Sequence, residues 1–100
     1  MHKCLLLNSN NTYEIKDLDH EKLEDILGKI TFVGAIPEFE AFAIGSLEPS
    51  QQELNPFCTN GAYFEEYVKG TIILVGSDKY GKPMNLDCEK LIKFITTSIA

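Results

Sequence analysis

The chain has 100 residues, 15 acidic against 9 basic, for a net charge of −6; 44% of the residues are hydrophobic and 24% charged. That balance excludes disorder of the whole chain and bounds it to one domain, residues 1–100. All nine basic residues are lysine, so the planar fork with which arginine grips phosphate is absent and nucleic-acid binding is disfavoured.

No apolar run approaches the roughly 18 residues of a membrane span, and the start MHKCLLLNSNN lacks the apolar stretch of about 7 to 15 residues of a secretory signal. Cys4, Cys58 and Cys88 are odd in number, widely spaced and without a C-x-x-C pair. They read as buried thiols in a reducing compartment rather than a disulfide or metal framework, and a cytoplasmic location is expected.

Taken in chain order, His2 to Leu7 is an apolar strand, and Asn8-Ser9-Asn10-Asn11 is a turn. Thr12 to Lys16 returns as the second arm of a hairpin. A helix is expected from the N-cap Asp19, with Leu18 and Leu23 at staple spacing and Leu23, Ile26 and Leu27 on one face. Gly28 closes it. Ile30 to Ile36 and Phe39 to Ile44 are expected to pair antiparallel across Pro37-Glu38, in a central place or buried on both faces.

Gly45 to Asn60 is a long irregular connection, with Leu47, Leu54 and Phe57 expected to pin it to the core. Ala62 to Val68 reads as about two helical turns, with Tyr63 and Tyr67 on one face and Phe64 and Val68 on the next. Thr71 to Val75 is the strongest strand signal. Residues 76–83 are turn-rich, and Met84-Asn85 resumes a short strand. The last helix starts at Asp87, its buried stripe formed by Cys88, Leu91, Ile92, Ile95 and Ile99, with Glu89 and Lys93 as a surface pair. The fold class is α+β: a single small domain, mostly antiparallel sheet of four to six strands, with two main helices and one short helix.

No catalytic set emerges. His2 and His20 are the only histidines, and Cys4 with His20 is a pairing that spacing alone leaves open; surface histidines and a buried thiol are the preferred reading. No metal-ligand spacing is present, VGSDKYGKP lacks the features of a phosphate loop, and adjacent Glu65 and Glu66 diverge on a helix. Neither cofactor nor metal is expected. Contact residues are then sought on the irregular segments: Asn55, Asn60, Tyr63, Tyr67, Asp78 and Tyr80, with tyrosine favoured because its ring buries area and keeps a polar tip.

Leu27-Gly28, Leu54-Asn55-Pro56 with Asn60 and Ala62, the run Gly70 to Gly76, Asp78, Gly81 and Leu86 together resemble short proteins of phages, large DNA viruses and some bacteria, a family known as a domain of unknown function. The acid–glycine turn that family members place after the second central strand is replaced by Gly45-Ser46-Leu47-Glu48-Pro49. The resemblance implies a viral or phage accessory protein and no reaction.

The expectation is thus a non-enzymatic protein that binds a host or viral protein through Asn55–Tyr67 and Ser77–Lys82, with neither nucleic acid nor membrane as partner. The alternatives are a binder of nucleotide-like small molecules that counters host defence signalling, with a homo-oligomer allowed, and, behind it, a cysteine-dependent enzyme.

Overall fold

The computed structural model describes residues 1–49, 52–58 and 63–98. Strand β1 is His2–Leu7 and β2 is Tyr13–Leu18. A 3-10 turn at His20–Lys22 leads to the single-turn helix α1, Glu24–Leu27. Strand β3 is Ile30–Ile36, and a second 3-10 turn at Pro37–Phe39 joins it to β4, Ala41–Ser46. Strands β5, Ile72–Ser77, and β6, Pro83–Met84, precede the helix α2, Cys88–Ser98.

The strands form one antiparallel sheet in the order β2-β1-β5-β4-β3, with β6 paired to the end of β5. The architecture is therefore α+β, with a six-stranded sheet, two helices and 3-10 turns. The sheet is covered on both faces. Leu5, Leu7, Ile72 and Leu74 point to the face packed by Leu91 and Ile95 of α2 and by Phe57 and Phe64. Cys4, Leu6, Ile73 and Val75 point to the other, where Leu23, Leu18 and Leu27 lie. This accounts for the unbroken apolar run of β5: Ile72, Ile73 and Leu74 are all fully buried because the central strand has no solvent face.

The hairpin, the TIILV strand and the last helix lie where the pattern puts them, with ends moved by one or two residues. Ile99 of the expected stripe lies outside the described residues.

Other expectations are corrected. Asp19 does cap, accepting from Glu21 N–H at 3.0 Å, but a 3-10 turn and a four-residue α-helix replace one continuous helix, and Ile26 stays 47% exposed. Phe39 belongs to the turn before β4 rather than to the strand, because Glu40 takes a left-handed conformation there (φ 52°). Leu47 and Leu54 are exposed, so among the three expected anchors only Phe57 is buried. Among the described residues the close ion pairs are Lys16–Glu14 and Lys90–Asp87, each at 3.8 Å; Glu89–Lys93 is not one of them.

Two corrections shape the surface. β3 is an edge strand, not a central one. And residues 63–68 are not helical: Phe64 bridges antiparallel to Gly34, and Tyr67 adopts a left-handed φ of 64°. Burying Phe64 against the sheet, at 3% exposure, outweighs the helical preference of so short a segment. Ala62 lies outside the described residues.

Candidate interaction surface

Asn55 is placed inside. It is 3% exposed, and its side-chain amide donates to the Leu7 and Gly70 carbonyls, both at 2.8 Å, while its side-chain oxygen accepts from Phe57 N–H at 3.0 Å. Its backbone N–H donates to Val68 O at 2.8 Å and its carbonyl accepts from Cys58 N–H at 3.0 Å. The side chain stitches the long connection to β1 and to the start of β5. A buried amide must find partners for all of its polar atoms, and this one does.

The other candidates divide. Tyr63 donates from its hydroxyl to Glu38 Oε2 at 2.9 Å and sets its ring edge-on to Phe94, 5.4 Å between centroids. That hydrogen bond is the main cause raising the Tyr63 pKa above its usual value. Asp78 Oδ1 accepts from the N–H groups of Tyr80 (2.8 Å) and Lys82 (2.9 Å), so it builds its turn. Of these candidates Tyr67 and Tyr80 present exposed rings, at 76% and 75%. Lys79 Nζ lies 5.1 Å over the Tyr80 ring. Asn60 lies outside the described residues.

The structure does bring Cys4 and His20 together. Cys4 Sγ is 3.7 Å from His20 Nε2 and 3.4 Å from the His2 carbonyl, and the two imidazole rings stand edge-to-face at 5.4 Å. Their ionisation is the reverse of what nucleophilic catalysis needs. Burial pushes the Cys4 thiol up to about 11, helped by Cys88 and Asp17, and the sulfur has no exposed surface. Burial also lowers His20, as do His2 and the N-terminal amine, with Asp19 opposing. A protonated thiol at this distance from an imidazole nitrogen makes a weak hydrogen bond, whereas the thiolate is the reactive species. Cys58 is likewise pushed up to about 12 by burial. Among the described residues no group of three or more His, Cys, Asp or Glu is placed to hold a metal ion, and no helix is long and apolar enough to cross a membrane.

The surface feature that sequence reasoning missed lies at β3. Phe32 is 67% exposed and Phe42 38%, their rings in edge-to-face contact at 6.2 Å. Beside them Ile30, Leu23, Ile44 and Val75 line a groove of about 300 Å³, with His20 and Ser77 as its polar members. On the other side of the Phe32–Phe42 pair a second hollow reaches Tyr63, Phe64 and Glu65. The alternation in ITFVGAI carries no mark of this exposure, because it depends on which strand ends the sheet. No family model, curated protein or solved structure matches the chain. The function is therefore read from this geometry alone.

Proposed function

We propose that the protein works by contact, binding a partner polypeptide through the Ile30–Phe32–Phe42 surface at the open end of β3. The observation that carries this reading is the pair of solvent-facing phenylalanines, touching each other and opening onto an apolar groove. Large apolar side chains gathered on a monomer surface mark places where another surface is covered. This reading keeps the non-enzymatic, contact-making role expected from the sequence. It moves the expected contact from Asn55 and Asp78, whose polar atoms serve the fold, to the edge of the sheet.

The test places a photoreactive phenylalanine analogue at position 32, 67 or 80 in turn and irradiates the native cell. A discrete crosslinked partner is expected at 32, and the Phe32→Ser variant should lose that partner while unfolding in urea close to the parent, since Phe32 is 67% exposed. Crosslinks confined to 67 or 80 would overturn the reading.

A further inference from the structure

The edge of β3 already accepts a strand from its own chain. Ala35 N–H donates to Tyr63 O at 2.9 Å, and Glu65 N–H donates to Val33 O at 2.7 Å, so residues 63–65 run antiparallel along its second half. The chain then turns away at Glu66–Tyr67, with Tyr67 left-handed. The first half of the edge, Ile30 to Phe32, is left without that cover.

The phase of the ladder decides what this stretch presents. Leu47 N–H donates to Lys29 O at 2.7 Å and the register sets Thr31 opposite Gly45, so the alternation of the ladder turns the backbone groups of Thr31 toward β4. In an antiparallel pair the alternate residues turn their backbone groups the other way. The N–H and C=O of both Ile30 and Phe32 therefore face outward. A bulge at Val33, where the register slips between Phe32 and Gly34, separates this stretch from the covered one.

The two edges of the sheet are not alike. The other edge strand, β2, reads YEIKDL, with Glu14, Lys16 and Asp17 exposed along it, the usual protection against strand pairing. β3 reads ITFVGAI and has neither a charge nor a proline.

We propose that the occupant of this surface is an extended polypeptide strand that adds antiparallel to β3 at Ile30–Phe32. This rests on the contact reading above. Residues opposite Phe32 and Ile30 share their face of the sheet, so both are apolar and pack against the Phe32 and Ile30 side chains at the rim of that groove. The residue between them meets the Thr31 side. The strand begins beside exposed Glu65, which favours a basic residue at its N-terminal end, and it finishes beside exposed Lys29, which favours an acidic one. Backbone bonds supply the affinity and the alternate pockets the selection, as in other strand additions.

A second copy of this chain is the poorer occupant. Setting Ile30 of one copy opposite Phe32 of the other brings Lys29 onto Val33, where Glu65 already sits.

The test titrates isotope-labelled protein with three capped pentapeptides and follows amide shifts. The probes are Lys-Val-Thr-Val-Glu, its charge-swapped form Glu-Val-Thr-Val-Lys, and the first peptide N-methylated at both valines. The first should shift Ile30 to Phe32 and Phe42 and slow hydrogen exchange at Ile30 and Phe32. The swapped form should bind about threefold or more weakly, and N-methylation should abolish binding.

Equal binding of the N-methylated peptide, shifts confined elsewhere, or no shift at millimolar peptide would each overturn strand addition. So would concentration-dependent dimerisation that protects the same two amides. Crosslinking at position 32 separates the two levels: a partner captured there with indifference to N-methylation removes strand addition alone, and silence there removes the contact site as well.

Discussion

Replacing Gly34 by alanine is expected to lift residues 63–65 off β3. A Cβ built on Gly34 collides with the Tyr63 carbonyl oxygen and lies 2.9 Å from Phe64 Cα, both backbone atoms that no rotamer change can move. The segment must withdraw, and with it go the Ala35–Tyr63 and Glu65–Val33 backbone bonds, about 1 kcal/mol each. Phe64, 3% exposed, loses part of its burial, about 1–2 kcal/mol more. The sum is about 3–4 kcal/mol.

Urea unfolding measures the total, and hydrogen exchange should show the Ala35 and Glu65 amides losing protection first. Gly81→Ala is the control: it has nothing within 4 Å of the new Cβ but sits at φ +79°, so it should cost about 1–2 kcal/mol. A Gly34→Ala loss no larger than the control, with both amides still protected, would refute the steric argument.

Asn55→Ala should cost about 2–4 kcal/mol in the same assay, because it leaves the Leu7 and Gly70 carbonyls and the Phe57 N–H buried without their partner; a cost under about 1 kcal/mol would show that water replaces the amide readily. The thiols predict an alkaline weakness. Cys4 and Cys58 are raised from 9.0 to about 11 and about 12, so their contribution is complete below pH 9. It is lost as pH rises through those folded values, at about 1.4 kcal/mol per pH unit per thiol while only the unfolded chain ionises. Thermal unfolding across this range, with Cys58→Ala flattening the slope, checks the sign, and both thiols should alkylate slowly in the folded protein at neutral pH.

How much of the fold could be read from the chain depends on the range of the forces involved. The hairpin arms, the TIILV strand and the stripe of α2 follow from period and turn chemistry, which act between near neighbours. Residues 63–68 misled because Tyr63, Phe64, Tyr67 and Val68 have helical spacing, yet Phe64 is claimed by Gly34 some thirty positions earlier. Asn55 looked like a loop residue offering its amide outward; three partners, two of them on distant backbone, turn it inward. The Cys4–His20 contact was open on spacing and is present, but burial decides that its thiol stays protonated.

By itself, the sequence determined the mix of strand and helix, the absence of arginine and the apolar strand at Thr71 to Val75, since each follows from local composition and alternation. Only the tertiary structure decided that β3 is an edge, that Phe32 and Phe42 meet in solvent and that, among the described residues, the strand at 63–65 lies along Val33 to Ala35 rather than Ile30 to Phe32. The physical reason is that strand order is a long-range outcome: the same apolar strand is core when two neighbours flank it and exposed edge when one does.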